Sequence, residues 1–411
     1  MQHSDAVIIG AGQAGLAMSH CLGRRGIDHV VLDRGRVGER WRSERWDSLR
    51  LLTPNWMSRL PGWSYRGPDP DGYMTMPEVV RYLEDYARSS AAPVETGTVV
   101  RVVERTPDGY RVETNRGVRA TRVVVIATGQ CDVPMVPAMA RHLPADIRQI
   151  TPQHYRNPDQ LPEGGVLVVG ASATGVQLAE ELQGSGRPVT LSVGRHTRLP
   201  RLYRGRDIMW WMDRIGVLNE RADGARDLGR ARAQPSLQLV GHPDRRTIDL
   251  AALRAQGVRI IGRMAGVDGI HVRVRDDLAA TTAAAQATLE RLLARIDAAA
   301  GNAGPPMAEV LRPIVPERSP EILDLRAEGI RSVVWATGYR RDYGWLKAPV
   351  LDAAGEVVHH GGITPSPGLY VLGLRFLRRR KSNFLDGVGA DAEELAEDIL
   401  GHLAKHGCVA A

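Results

Sequence analysis

The sequence contains little cysteine. Its 411 residues include three cysteines, which lie too far apart to form a CxxC pair or a metal-ligand pattern: Cys21, Cys131 and Cys408. This scarcity argues against a dithiol redox centre and against a metal site. It also indicates a reducing, cytoplasmic setting.

Long apolar runs are absent as well. No stretch approaches the roughly 18 apolar residues that a membrane helix requires, so we predict no membrane span. Val7 already begins a predicted strand, and we therefore expect no signal peptide. With 43% apolar and 25% charged residues, the composition is typical of a globular protein.

Lysine is the third scarce residue. Only three of the 54 basic residues are lysines, and the net charge is +7. Arginine suits ligands that carry phosphate groups. The one dense basic run, at 378–381, is typical of a solvated face, and no nucleic-acid-binding motif accompanies it. Nucleic acid is therefore not an expected partner.

The most informative stretch begins with the apolar run Val7–Ile9. Three glycines follow it in a G-x-G-x-x-G pattern, then a predicted helix, then a second apolar run that ends at Asp33. The glycines are Gly10, Gly12 and Gly15. In this context they permit the tight turn, the approach of a pyrophosphate and the close packing of helix on strand. The carboxylate of Asp33 suits ribose hydroxyls. Because a second unit of this kind follows, and electron transfer from nicotinamide to flavin needs two dinucleotides held face to face, the first unit is predicted to bind FAD. A purely structural glycine turn is the alternative.

A second unit of the same kind follows the strand 166–169. Its loop carries Gly170, Ser172 and Gly175, and the next strand is 189–193. Arg195 and His196 stand where the first unit carries its acid. A cation there can pair with a 2′-phosphate, so NADPH is favoured over NADH. The alternative for Arg195 is an exposed arginine in an arginine-rich chain.

These two units predict an α/β fold with two Rossmann-like domains, an NADPH domain inserted into an FAD domain. We place the FAD domain at 1–160 and 326–411, and the NADPH domain at 161–325 with a helical insertion near 202–320. The alanine-rich stretch 278–300 is predicted to be a helix that either covers the NADPH domain or forms a homodimer face. Trp210 and Trp211 are predicted to belong either to a substrate lid or to the core.

The motifs together resemble the flavin-containing monooxygenases, a class that also includes YUCCA-type and Baeyer–Villiger enzymes. The resemblance rests on GAGQAG at 10–15, ATG at 127–129, GASATG at 170–175, ATGY at 336–339 and the closing region 368–389. It implies that Thr128, Gly129, Thr337 and Gly338 lie where the chain passes between the domains, and that Trp41 lies near the flavin. The cofactor-binding candidates are then Gly10, Gly12, Gly15, Asp33, Arg34, Trp41, Val100, Thr128, Gly129, Gly170, Ser172, Gly175, Ser192, Arg195, His196, Thr337, Gly338 and Gly373.

The chain departs from the resemblance at the family fingerprint F-x-G-x-x-x-H-x-x-x-Y/F. Counting back from Tyr155, Thr151 occupies the His position, Ile147 the Gly position and Ala145 the Phe position. Thr151 is therefore one candidate catalytic residue. Asn55 is the other, because family members place a polar side chain by the flavin near this point, although a turn asparagine after Pro54 is the alternative.

The resemblance also implies a reaction. NADPH would reduce FAD, O2 would form a C4a-(hydro)peroxyflavin, and oxygen would pass to a small organic substrate. The absent fingerprint histidine leaves open an NADPH-dependent flavin oxidase or reductase that produces hydrogen peroxide. A flavoprotein redox sensor or binding partner is a further alternative.

Overall fold

Two β-sheets organise the chain in the computed structural model, which describes residues 2–301 and 314–407. The larger sheet has seven strands. In the order in which they lie side by side, they are Val94–Glu95, His29–Leu32, Gln2–Ile9, Gly117–Ile126, Gly109–Thr114 and Val100–Thr106, with Leu369–Val371 paired to Gly117–Ile126. Its centre is parallel, and the hairpin at its edge is antiparallel.

The second sheet has five strands, and each neighbouring pair is parallel. Every residue of its central strand is buried, which agrees with an unbroken apolar run rather than an alternating one. The order of the strands is Arg148–Ile150, Ile330–Trp335, Gly165–Val169, Val189–Ser192 and Arg259–Ile261.

The helices cover these sheets or build the region between them. The helix after each glycine loop packs on the sheet of its own unit, and the closing helix packs beside the first of them. Their bounds are Gln13–Gly23, Glu39–Ser43, Met76–Ser89, Ala173–Gly184, Ile208–Arg214, Leu228–Arg232, Leu250–Ala255, Leu278–Ala300 and Leu385–Gly407.

The remaining strands are short and form small separate sheets. A three-stranded antiparallel sheet consists of Met264–Asp268, His271–Val274 and Ile322–Asp324. Four two-stranded pairs are Arg59–Leu60 with Trp63–Ser64, Val133–Pro134 with Tyr339–Arg340, Thr197–Arg198 with Leu237–Gln238, and Leu202–Tyr203 with Arg206–Asp207.

The predicted fold class is confirmed, but the sheets move the predicted domain boundaries. Ile330–Trp335 was expected within the first domain and instead pairs with Gly165–Val169 in the second sheet. Arg148–Ile150, expected before the boundary at 160, joins the same sheet. The chain crosses between the sheets at two segments that pair with each other, Val133–Pro134 and Tyr339–Arg340. Sequence alone did not reveal which sheet these two strands join, because buried apolar strands of the two sheets have similar sequences.

Between the sheets lies the predicted insertion, which has its own apolar core. The helix Leu278–Ala300 is present as predicted and buries Leu289 and Ile296 in that core. Trp211 is buried there, and its Nε1 donates to the carbonyl oxygen of Tyr203 at 2.7 Å. Trp210 meets it edge to face, with 4.8 Å between ring centroids. Both tryptophans therefore pack as core residues.

The described residues contain neither a membrane-spanning helix nor a cluster of metal-ligating side chains. No helix in 2–301 or 314–407 is long and apolar enough to cross a membrane. Within the same ranges, no three His, Cys, Asp or Glu side chains come together as a candidate metal site.

The two glycine loops repeat one packing arrangement. A Cβ atom on Gly15 would lie 1.8 Å from the carbonyl oxygen of Gly10, and a Cβ atom on Gly175 would lie 1.8 Å from that of Gly170. Each first glycine also has a positive φ angle and lies against the alanine carbonyl of an Ala-Thr-Gly segment, Ala127 or Ala336. Only glycine fits these contacts.

This packing predicts that Gly175→Ala destabilises the protein by about 1–3 kcal/mol, because the new methyl group must displace backbone. Gly184→Ala in the same helix is the matched control, since a Cβ atom there would meet nothing within 4 Å. The control should be neutral or stabilising by about 0.5–1 kcal/mol. Urea denaturation measures both free energies of unfolding, and equal effects would contradict the packing argument.

Candidate functional site

The first glycine loop ends on the N-terminus of helix Gln13–Gly23. No side chain caps this helix and its first turn carries no acidic residue, so its first backbone N–H groups are available to an anion. Asp33 braces the loop: its carboxylate accepts hydrogen bonds from Ala11 N at 2.6 Å and from Gly35 N at 2.8 Å. A Cβ atom on Gly12 would meet nothing within 4 Å, so a ligand can approach the backbone there.

A cavity of about 340 Å³ opens beside this loop. Gly15 is absent from its wall, because that glycine packs against Gly10 instead. The other residues predicted to bind FAD line the cavity, namely Gly10, Gly12, Asp33, Arg34, Trp41, Val100, Thr128, Gly129 and Gly373. The cavity thus reaches from the ribose-type acid past the glycine loop to a tryptophan, as an elongated dinucleotide requires.

A second, larger cavity of about 580 Å³ adjoins the first. Four side chains line both cavities: Gln13, Trp41, Gln130 and Asn383. Trp41 Nε1 donates to Gln13 Oε1 at 3.3 Å, and this contact fixes the indole at the junction. Gln130 Oε1 is buried and has no hydrogen-bond partner among the described residues. A ligand donor at the junction would satisfy that oxygen.

The insertion supplies half of the residues that line the large cavity, and the rest come from other parts of the chain. The wall is largely apolar. Its apolar members include Leu199, Met209, Met212, Leu289 and Phe376. Sequence reasoning missed this cavity because its wall comes from segments that are far apart in the chain. It also missed Gln13 and Gln130, although one lies within the first glycine motif and the other directly follows Ala-Thr-Gly.

The second glycine loop lies against the insertion. Gln238 Nε2 donates to Ala171 O at 2.7 Å, and Gln177 Nε2 donates to Leu239 O at 2.7 Å. Ser172 stands at the N-cap of helix Ala173–Gly184, and its side chain makes no capping hydrogen bond. The first-turn N–H groups of this helix therefore have no side-chain partner at the cap, as in the first unit.

Arg195 is exposed near the carboxyl end of the second sheet and has no ion-pair partner among the described residues. Sequence reasoning missed a second cation here. Arg263 follows strand Arg259–Ile261, and its Nε would lie 3.6 Å from a Cβ atom on Gly194. Arg263 also forms a 3.6 Å ion pair with Asp277, so it retains only part of its charge for a ligand. The order of the parallel strands brings the two arginines together.

The side chains of His196 and Ser192, both predicted to bind the nucleotide, are buried and hydrogen-bonded within the protein. His196 is buried, its Nδ1 hydrogen-bonds Gly194 O at 3.0 Å, and burial lowers its pKa, so the ring is no phosphate-binding cation. It packs beside the helices Leu250–Ala255 and Leu278–Ala300. The buried hydroxyl of Ser192 donates to Gly262 O at 3.1 Å and accepts from Met264 N at 2.9 Å. Tertiary packing thus occupies both side chains.

Thr337 and Gly338 lie at the crossing between the sheets. The hydroxyl of Thr337 donates to Met135 O, and Met135 N donates to Gly338 O at 2.9 Å. The two residues therefore join the incoming and outgoing crossing segments. Neither lines the two large cavities, whereas Thr128 and Gly129 line the smaller of them.

The two candidate catalytic residues lie outside both cavities. Asn55 is buried, and its Nδ2 donates to Asp69 O at 2.9 Å while its Oδ1 accepts from Met74 N at 2.8 Å. The hydroxyl of Thr151 lies 3.0 Å from His154 Nδ1 in a turn. Asn55 thus holds the loop 69–74, and Thr151 braces the turn before Tyr155. Their hydrogen bonds favour a structural role for both residues, and a catalytic role for either one stays a prediction.

Comparisons with known proteins agree with this architecture. The family model of the pyridine nucleotide-disulphide oxidoreductases matches residues 7–203. The uncharacterized oxidoreductase CzcO-like of Geobacillus kaustophilus is 35% identical over 407 residues, covering 98% of this chain and 100% of that protein. YUCCA6 of Arabidopsis thaliana, an indole-3-pyruvate monooxygenase, is 32% identical over 198 residues, which cover 46% of this chain and 47% of that protein.

Among solved structures, a flavin-containing monooxygenase from Stenotrophomonas maltophilia matches with a TM-score of 0.67 at 21% identity. The match covers 98% of this chain and 100% of that chain. At this identity the likeness shows the fold, a mixed α/β architecture with two dinucleotide-binding domains.

We predict that Asn55→Ala lowers the free energy of unfolding by about 1–3 kcal/mol, because the buried N–H group of Met74 and the carbonyl group of Asp69 lose their partner. The rate at which the reduced pyridine nucleotide reduces the flavin should stay unchanged, and it should stay unchanged in Thr151→Ala as well. Urea denaturation and anaerobic stopped-flow absorbance measure the two quantities. A large loss of rate at unchanged stability would restore a catalytic role.

Proposed function

The chain belongs to the CzcO-like oxidoreductases, and on this premise we propose that it is an FAD- and NADPH-dependent monooxygenase of a small organic substrate. Its family implies FAD and a pyridine nucleotide as cofactors. The proposal adds the phosphate-bearing nucleotide and the transfer of oxygen.

One observation carries the proposal, namely the junction of the two cavities. The dinucleotide-shaped cavity meets the larger apolar cavity at Gln13, Trp41, Gln130 and Asn383. A substrate in the large cavity would therefore touch the ring end of a flavin held by the first glycine loop. A simple reductase of a second protein has no need of such a chamber.

The residues present fit FAD. The first-turn N–H groups after Gly12 would hold the pyrophosphate, Asp33 would accept from ribose hydroxyls, and Gln130 would accept from the ring end. When bound, the flavin supplies hydride acceptance from nicotinamide and reaction with O2. Trp41 and Gln13 would orient the ring of a bound flavin, and the apolar wall would limit the access of water to the reacting atoms.

The residues of the second loop fit NADPH in the same way. Arg195, assisted by Arg263, would face the 2′-phosphate, and no carboxylate stands at the position that Asp33 holds in the first unit. His196 takes no part in this recognition, because it is buried and its pKa is lowered.

A dithiol mechanism has no support in this chain, despite the name of the family model. Cys131 lines the dinucleotide cavity, but Cys21 is buried in helix Gln13–Gly23, where burial raises the pKa of its thiol. Cys408 lies outside the described residues. No second thiol thus stands beside Cys131 among the described residues to form a disulfide.

Gly12→Ala should leave the fold intact, because a Cβ atom there meets nothing within 4 Å, and should reduce the flavin bound per chain. The methyl group would occupy the space into which the pyrophosphate must come. Visible absorbance of the purified variant measures flavin content, and circular dichroism checks the fold. Full flavin content in the folded variant would contradict the assignment of this loop.

Arg195→Gln should raise the KM for NADPH about tenfold or more and leave the KM for NADH unchanged, because a charge-assisted hydrogen bond to phosphate is lost. Arg259→Gln is the matched control. It removes an exposed arginine from the same sheet, where it pairs with Glu328 at 2.6 Å. Initial-rate kinetics with both nucleotides measure the effect. An equal loss with NADH would show that Arg195 does not read the phosphate.

Oxygen transfer itself is tested by coupling. NADPH oxidation by the flavin-loaded protein is measured with amines, sulfides and ketones, together with oxygenated product and hydrogen peroxide. The proposal predicts substrate-dependent oxygenated product in proportion to NADPH consumed. Stoichiometric peroxide with every substrate would favour the oxidase or reductase, and slow turnover unaffected by any substrate would favour the redox sensor.

A further inference from the structure

The large cavity is apolar along most of its wall, yet its charged residues are all of one sign. Five arginines line it, and no aspartate or glutamate is among the described residues of the wall. The five are Arg198, Arg291, Arg295, Arg375 and Arg380. In an arginine-rich chain some excess is expected, so the argument depends on which of these charges are already paired.

Three of the five guanidinium groups have carboxylate partners behind the wall. Arg198 pairs with the buried Asp249 at 2.8 Å. Arg295 and Arg380 share the single carboxylate of Glu220, at 3.0 and 2.7 Å. One carboxylate balances only one of these two charges, so this group retains a positive charge.

Arg375 is the half-buried member without a carboxylate partner. Its Nη1 donates to Gln234 O at 3.0 Å and its Nη2 donates to Ser236 Oγ at 2.5 Å. Both acceptors are neutral, and no ion pair to a described residue balances the charge. Its cationic neighbour Arg341 is engaged with Glu356 at 2.5 Å. Burial lowers the pKa of Arg375, which reflects the cost of keeping this charge out of water.

Arg291 is the second arginine of the wall that has no carboxylate partner among the described residues. It lies exposed on helix Leu278–Ala300 and donates to Thr288 Oγ1 at 2.9 Å. With Arg295, which lies one helical turn further on and is also exposed, it gives the cavity a positive rim. Such a rim draws anions toward the opening.

We propose that the large cavity binds an organic substrate with an apolar body and an anionic group, such as a carboxylate, and that Arg375 is the contact for that group. A charge that is partly removed from water is costly unless a counter-ion meets it, and the described residues of the wall offer none. This inference rests on the proposed function and names the substrate class of the same site.

A phosphate of the nicotinamide nucleotide is the competing source of the anion. Segment 234–238 accepts the hydrogen bonds of Arg375. The same segment contacts the second glycine loop through Gln238. The substrate is favoured because Arg375 lines the large cavity and does not line the dinucleotide cavity. The experiment therefore measures nucleotide affinity separately.

The test uses the flavin-loaded protein in its oxidised state, without NADPH. Two probes share an aryl methyl sulfide body: para-methylsulfanyl benzoate and its neutral amide. Dissociation constants come from the change in flavin absorbance on titration. We expect the benzoate to bind at least about tenfold more tightly than the amide, because a charge-assisted bond replaces a neutral one.

Arg375→Gln should abolish the preference for the benzoate, and Arg375→Lys should retain part of it. Arg291→Gln, an exposed change that is safe for folding, should reduce the benzoate affinity by a smaller factor that shrinks with added salt. Arg88→Gln is the control, since Arg88 is 73% exposed on another helix and lines neither cavity. It should change nothing.

Equal affinities for the two probes would overturn the inference. So would an Arg375→Gln variant that keeps the preference, or one that loses NADPH affinity while the preference persists. Because binding is measured without turnover, a failure of oxygen transfer leaves this result standing. Absence of the anion preference likewise does not contradict the monooxygenase proposal, which the coupling experiment tests separately.

Discussion

The close packing of each glycine loop against its own helix is the constraint on which both dinucleotide sites depend. Gly15 lies on the carbonyl of Gly10, and Gly175 lies on that of Gly170, with no room for a Cβ atom in either unit. This contact directs the first turn of each helix at the space beside the strand ends. The N–H groups of that turn can then meet a phosphate with their partial positive charge.

The insertion and the two dinucleotide-binding units together enclose the large apolar cavity. The apolar core of the insertion holds helix Leu278–Ala300 against the large cavity, and hydrogen bonds of Gln177 and Gln238 join the insertion to the second glycine unit. The result is an apolar space with a positive wall beside the ring end of the dinucleotide cavity. The reaction would thus be governed by what the chamber admits and how well it excludes water, rather than by an acid or base residue.

Local sequence predicted the parts whose contacts are local. The glycine loops, Asp33 and the alanine-rich helix follow from spacing and composition, and the structure contains each of them. His196, Ser192, Asn55 and Thr151 lie in surroundings that the sequence did not indicate. Each has a polar side chain that distant backbone or a neighbouring turn occupies, and a single sequence carries no signal for such packing. Nothing in the sequence indicated that Ile330–Trp335 pairs within the second sheet rather than the first.

The large cavity was also beyond prediction, because its wall is assembled from both glycine units, the insertion and the closing region. For Arg263, the only information that the sequence lacked was the order of the strands in the sheet. Once the order of the parallel strands is known, its place beside Arg195 follows directly from its position after Arg259–Ile261. Strand order, however, depends on tertiary pairing and not on motif spacing.

The measurement that tests the account most directly is anaerobic mixing of the flavin-loaded protein with NADPH, followed by admission of O2. The account predicts rapid loss of the oxidised-flavin absorbance with NADPH. It also predicts a species on O2 addition whose spectrum differs from those of oxidised and reduced flavin and which decays faster with a suitable substrate. Protein that binds no flavin, or bound flavin that NADPH does not reduce, would contradict the central claim that the two loops hold the two nucleotides.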